Sequence, residues 1–163
     1  MKNIFTAAVL IILALSSLGG ANSGSDLPAV LSEIEGARPD KYFKKITDIP
    51  IPIKKAFGEA MSNKQFNMAD SGGAWNKTDV VTNSSLPFRR LIWAVKIKRY
   101  YIIHYEMGGR GYSTHYLIAA SAGGKDNWSV LWSAAALESS RDFPAFIADL
   151  KKGKLDSDPK ISH

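Results

Sequence analysis

The second half of the chain constrains the fold most. From Gly72 onward, strand-forming residues occur in runs separated by turn residues, and helical periodicity disappears. The connections contain NSSLP, MGGRGY and SAGGKDN, and short turns of this kind join antiparallel neighbours. The pattern predicts an antiparallel meander of about five strands. The predicted strands are 74–82, 89–97, 100–106, 113–120 and 128–135.

One of these strands, with the sequence LIWAVKI, is predicted to be central in the sheet. Leu91, Trp93, Val95 and Ile97 alternate along it, which is typical of a strand with one strongly buried face.

Helical spacing occurs on both sides of the strand region. Segments 26–35 and 53–61 are predicted helices, and the two prolines of DIPIPI are expected to keep the chain extended before the second one. A third helix is predicted after the last strand, with Ser140 as N-cap and Gly153 as C-cap. Its apolar residues at i, i+3, i+4 and i+7 are Phe143, Phe146, Ile147 and Leu150. The predicted class is α+β, with N-terminal and C-terminal helices packed on one face of the sheet.

The amino terminus has the order of a secretory signal peptide. Lys2 precedes an apolar run at 4–15, and small residues follow up to Ala21. The predicted organisation is a cleaved signal peptide at 1–21, one globular domain at 22–155 and a flexible tail at 156–163. A run of about 12 residues is short for a bilayer span, so no stable membrane span is expected after cleavage.

The expected location is the periplasm or the outside of the cell. The chain has no cysteine, which excludes lipid attachment at a cysteine. An exported protein without disulfides is unremarkable in a bacterial periplasm and less expected among small eukaryotic secreted domains. Three N-x-S/T sequons, at Asn76, Asn83 and Asn127, leave a glycosylated eukaryotic protein open as an alternative.

The chain is moderately basic, with a formal net charge of +6. This balance favours contact with an anionic partner such as an acidic polysaccharide or protein, and export makes nucleic acid an unexpected one. A basic set interleaved with Trp93 and Tyr100 is a predicted contact patch. Its members are Arg89, Arg90, Lys96, Lys98 and Arg99. The alternative is a solvated edge whose charges discourage aggregation.

The hairpin YYIIHYEMGGRGYSTHYLIAA carries the groups best suited to chemistry. A turn centred on Gly109 and Arg110 would place His104 opposite His115, with Glu106 on the same face. Two imidazoles and a carboxylate suit a zinc ion or acid–base catalysis. A shift of one residue would separate the histidines. In the alternative interpretation these polar residues face solvent, and the other face buries Tyr101, Ile103, Tyr105, Tyr116 and Ile118.

Other motifs exclude several classes. The spacing of Asp70 and Asp79 does not match an EF-hand, and HExxH and GxSxG are absent from the sequence. The glycine run around Arg110 lacks the strand-to-helix context of a P-loop. Trp75, beside Gly73, is the tryptophan expected to be most exposed. No cofactor is predicted.

These features predict a non-enzymatic exported binding protein whose partner is a protein or a polyanion. The predicted contact residues are Arg89, Arg90, Lys98, Arg99, Gly109, Arg110 and Trp75. The alternative is a metal-dependent or acid–base hydrolase of an envelope polymer that uses His104, Glu106 and His115. The register of the hairpin distinguishes these two hypotheses, because the hydrolase requires His104 and His115 to lie on the same face.

Overall fold

The structure, a computed structural model, describes residues 27–61, 64–81, 83–121, 123–124 and 126–157. The predicted signal peptide lies outside these ranges, as do residues 158–163. The helices are α1 (Leu27–Ile34), α2 (Ile51–Ala60) and α3 (Phe143–Lys151), with a 3₁₀ turn at Ile46–Asp48. The strands are β1 (Lys41–Phe43), β2 (Arg89–Ile97), β3 (Tyr100–Met107), β4 (Ser113–Ser121), β5 (Trp128–Ala136) and β6 (Asp156–Ser157).

The strands form one sheet in chain order, and each neighbouring pair is antiparallel. The predicted α+β class and antiparallel meander are therefore confirmed. A two-residue turn, Lys98 and Arg99, joins β2 to β3, and Lys98 has a φ of +51°. At the edge of the sheet opposite β1, β6 pairs with β5. The sheet therefore includes two residues, Asp156 and Ser157, of the predicted flexible tail.

Both faces of the sheet are buried. On the first face, Val30 of α1 and Phe146 of α3 pack in one cluster with Ile102 of β3. On the second face, Phe57 of α2 packs in another cluster with Ile103 of β3. The placement of all the helices on one face is thus not confirmed, because α2 covers the opposite face. Strands β3 and β4 are buried along almost their whole length, as expected between two covered faces.

The first predicted strand, 74–82, does not form in the described residues. Asn76 instead bonds to Asn83 and Leu86, which follow this segment, and an isolated bridge joins Thr78 to Gly109. Side chains 77–81 are exposed, so no apolar face holds this segment against the sheet. The edge position next to β2 belongs to β1, a three-residue strand that the sequence analysis did not predict.

The helix starts differ from prediction for local reasons. Helix α2 begins two residues early, with Pro50 as N-cap and Pro52 in the first turn, where the missing N–H of proline costs nothing. The N-cap of α3 is Asp142, whose Oδ1 accepts a hydrogen bond from Ala145 N at 3.0 Å. Ser140, the predicted cap, instead donates its Oγ–H to Asp149 Oδ2 at 2.8 Å.

A β-bulge interrupts the predicted alternation in β2. Leu91 pairs with Tyr105, and Trp93 pairs with His104, so the register shifts between them. The intervening Ile92 accepts a hydrogen bond at its carbonyl oxygen from Ser71 Oγ at 2.9 Å. Leu91 therefore packs in the second-face cluster, whereas Trp93 packs in the first.

Candidate binding surface at one end of the sheet

The register of the β3–β4 hairpin decides which of its polar residues meet. Met107 pairs with Ser113, so the loop is 108–112 and its centre is Arg110. His104 lies opposite Tyr116, and His115 lies opposite Tyr105. The predicted register is wrong by one residue, and a shift of one residue moves the histidines to opposite faces of the sheet.

His104 is fully buried on the first face. Its ring stacks on Tyr116 with 4.1 Å between centroids and meets Trp93 edge-on at 5.2 Å. Nε2 lies 3.3 Å from Ser139 Oγ. Burial, with a smaller contribution from His115, lowers the pKa of His104 to about 3. An efficient general base has a pKa near the working pH, and the pKa of His104 is far below that range. His104 is therefore a neutral aromatic residue of the core, and it also contacts Ser139 in the loop after β5.

His115 is buried on the second face, where its ring stacks on Tyr105 at 5.1 Å and its Nε2 lies 2.8 Å from Ser113 Oγ. Glu106 pairs with Thr114 and shares the face of His104. The three residues predicted to form a metal or acid–base site are therefore not brought together. Within the described ranges, no three His, Cys, Asp or Glu side chains are grouped as metal ligands.

The predicted basic patch is split between the two ends of the sheet. Lys98 and Arg99 lie in the β2–β3 turn, far along the strands from Arg89 and Arg90 at the start of β2. Arg99 Nη2 donates to Glu33 Oε1 at 2.7 Å, and Lys98 Nζ donates to the Glu33 carbonyl oxygen. The bond from Arg99 lowers the pKa of Glu33. This pair fastens the last turn of α1 to the sheet, where a cation also suits the helix dipole.

Arg90 is engaged at the opposite end. Its Nε donates to Glu106 Oε1 at 2.5 Å, and its guanidinium lies 5.2 Å from the ring centroid of Trp75. Glu106 is buried, so Arg90 balances a charge that would otherwise be costly there. Trp75 is half-buried, and Arg89 is buried.

The hairpin loop projects from this end because segment 76–78 crosses its base. Gly108 N donates to Phe88 O at 2.9 Å, and Gly109, with a φ of +118°, forms the bridge to Thr78. Lys77 Nζ lies 5.4 Å from the ring centroid of Tyr112. Arg110 is left exposed at the tip, as the binding prediction requires.

Asn76 closes the loop 77–86 next to the hairpin. Its Nδ2 donates to Asn83 O at 2.9 Å and to Leu86 O at 2.8 Å, and its backbone N–H donates to Pro87 O. The Asn76 side chain is buried and both amide hydrogens are used, so this sequon is not accessible in the folded domain. The sequons at Asn83 and Asn127 are exposed.

We name this end of the molecule the tip surface: residues 77–81 and 83–86 and loops 108–112 and 137–139, with Trp75 and Phe88. Exposed apolar side chains are its main feature, and they are Val80, Val81, Phe88, Tyr112 and Leu137. Arg110 and Trp75 of this surface are predicted from the sequence, whereas the exposed apolar residues are not. The sequence feature that could have indicated them is the presence of large apolar residues inside turn-rich segments.

A methyl group at Gly108 is expected to disrupt the tip surface. A Cβ there would overlap the backbone carbonyl oxygens of Asn76 and Lys77 and lie 2.7 Å from the Lys77 carbonyl carbon. Gly108→Ala should therefore cost about 1–3 kcal/mol of unfolding free energy in urea denaturation. Gly111→Ala is the matched control, because its Cβ would meet nothing within 4 Å. Equal stability of the two variants would contradict the close approach of the two segments.

Comparison of the chain with protein-family models, with curated proteins and with solved structures finds no match. Function is therefore inferred from the residues of this chain alone.

Proposed function

We propose that the domain is an exported, non-enzymatic binding protein that contacts a protein or polyanionic partner through the tip surface. The supporting observation is that loops from separate parts of the chain are fastened side by side at one end of a rigid sheet. Backbone bonds tie Gly108 to Phe88, and a bridge ties Gly109 to Thr78. This arrangement presents Arg110 and Tyr112 with their backbone already ordered, which lowers the entropic cost of binding.

Only some of the contact residues predicted from the sequence belong to the tip surface. Arg110 and Gly109 lie in the hairpin loop, and the ring of Trp75 lies under the guanidinium of Arg90. Lys98 and Arg99 are excluded from this surface, because they bond to Glu33 at the other end of the sheet.

Arg110→Ala is the substitution that tests the proposal. Immobilised protein is incubated with an envelope extract at low salt, and captured material is compared for wild type, Arg110→Ala and Arg38→Ala. Arg38 is an exposed arginine outside the tip surface, so its loss should change nothing. We expect Arg110→Ala to weaken capture of a specific partner by about fivefold to tenfold.

Recovery of no partner at low salt would overturn the proposal, as would capture that is equal for the three proteins. Arg90→Ala is unsuitable for this test. It would leave the Glu106 carboxylate buried without its cation, so a loss of binding could reflect a loss of folding.

A further inference from the structure

An apolar cavity lies on the first face of the sheet, outside the tip surface. It has a volume of about 580 Å³, and its lining comes from the end of α1, the connection 36–39, β1 and the start of α3. Small-molecule sites in proteins are concave, mostly apolar and about 300–1,000 Å³ in volume. We name this feature the α1–α3 cavity, and its size suits a small molecule.

The lining combines core side chains with one exposed aromatic ring. Ile34 and Phe143 belong to the buried first-face cluster, and Ile147 packs against that cluster. Tyr42 of β1 is 50% exposed. All four side chains line the same cavity. An apolar group placed there would therefore remove its own surface and theirs from water, which favours binding.

Among the described residues, Arg38 is the one charged residue of the lining. The acidic residues of segments 27–43 and 142–151 are each paired with a lysine or arginine, and the pairs are Glu33–Arg99, Glu35–Lys151, Asp40–Lys96, Asp142–Arg141 and Asp149–Lys154. Arg38 is exposed and has no ion-pair partner within the described ranges. The cavity therefore presents an unbalanced positive charge, which favours a ligand with an anionic group.

We infer that the α1–α3 cavity binds a small amphipathic anion, with its apolar body against α1 and α3 and its carboxylate at Arg38. A guanidinium suits this role because it can donate two parallel hydrogen bonds to one carboxylate. Tyr42 can donate a third, since burial and the charge of Asp142 raise the pKa of its hydroxyl and keep it protonated. The cavity shares no residue with the tip surface, so this inference goes beyond the proposed function.

Calorimetric titration tests the inference with three probes of equal chain length, which are octanoate, octanol and octyltrimethylammonium. Acetate is added because it has the anionic head without the apolar body. Wild type is compared with Arg38→Gln, which removes the charge of an exposed side chain, and with Tyr42→Asp, which places a carboxylate in the lining. The control is Lys55→Gln, since Lys55 is exposed on α2 and outside the cavity. All the proteins share one amino terminus, so any contribution from it cancels.

We expect wild type and Lys55→Gln to bind octanoate about tenfold more tightly than octanol, and to bind octyltrimethylammonium most weakly. Arg38→Gln should weaken octanoate binding by about tenfold and leave octanol binding unchanged. Tyr42→Asp should weaken octanoate binding by at least roughly tenfold, because it adds a like charge to the cavity. Acetate should not bind measurably, because it buries too little apolar surface. Urea unfolding of each variant confirms that the fold is retained.

Three results would overturn the inference: wild type that does not bind octanoate, a folded Arg38→Gln variant that binds octanoate as wild type does, or a dimer that Tyr42→Asp dissociates. Such a dimer would mean that a second copy covers the cavity, and sedimentation of both proteins detects it. The partner-capture experiment depends on Arg110 and uses Arg38→Ala as its control, so it reports on the proposed function alone. Octanoate binding without partner capture would support the inference and overturn the proposed function, whereas capture without octanoate binding would do the reverse.

Discussion

Acidification from about pH 7.5 to about pH 4.5 is expected to reduce the free energy of unfolding by about 2–3 kcal/mol through His104 alone. The pKa of this buried imidazole is lowered from 6.5 to about 3 in the folded domain. Below pH 6.5 the unfolded chain therefore binds a proton that the folded chain does not. The contribution to stability is complete above pH 6.5 and is lost progressively as the pH falls towards 3.

The measurement is urea unfolding at both pH values for wild type and His104→Phe. Phenylalanine preserves the stack on Tyr116 but has no titrating group, so the acid-induced loss should shrink by about 2–3 kcal/mol. His115→Phe, on the opposite face, is measured in parallel because His115 also lowers the pKa of His104. An equal acid-induced loss in wild type and His104→Phe would show that His104 does not titrate on unfolding.

The sequence predicted the elements whose signal is local. Strands β2 to β5 follow from runs of strand formers ended by turn residues, and α3 follows from the spacing of Phe143, Phe146 and Leu150, all of which are buried. Tight turns also predicted the antiparallel order correctly. These features depend on residues within one element or one turn, so a single sequence carries them.

The hairpin register could not be predicted in the same way. The Gly-rich sequence around Arg110 permits more than one loop length, and the choice depends on segment 76–78, about thirty residues earlier in the chain. Gly108 is needed because that segment passes against it. One residue of register then decided the candidate site, since it placed His104 and His115 on different faces.

The sequence patterns also did not predict that the second face of the sheet is covered. Alternation predicted one apolar face for the sheet, but α2 packs Ile53 and Phe57 against the other. His115 lies on that second face, stacked on Tyr105, and His104 lies on the first face, stacked on Tyr116, so both are buried. Pattern analysis assigns histidine to a solvent face because imidazole is polar, and it does not detect the tyrosine ring that covers it.

Phe146→Ala is expected to produce the largest single loss of stability, about 3–5 kcal/mol. Phe146 is fully buried in α3, and its ring lies 4.9 Å from Tyr116 and 5.9 Å from Trp93 between centroids. Removing the ring leaves a cavity between helix and sheet, which adds to the lost transfer free energy. The loss should also reach the tip surface, because Tyr116 OH accepts a hydrogen bond from Ser140 N at 2.7 Å and so holds the loop after β5.

Urea denaturation measures this loss, with Phe88→Ala as the matched control. Phe88 is 41% exposed, so the same substitution there should change stability by less than about 1 kcal/mol. The m-value should stay constant if both variants unfold in two states, which makes the midpoints comparable. A smaller loss for Phe146→Ala than for Phe88→Ala would contradict the packing of α3 on the first face of the sheet.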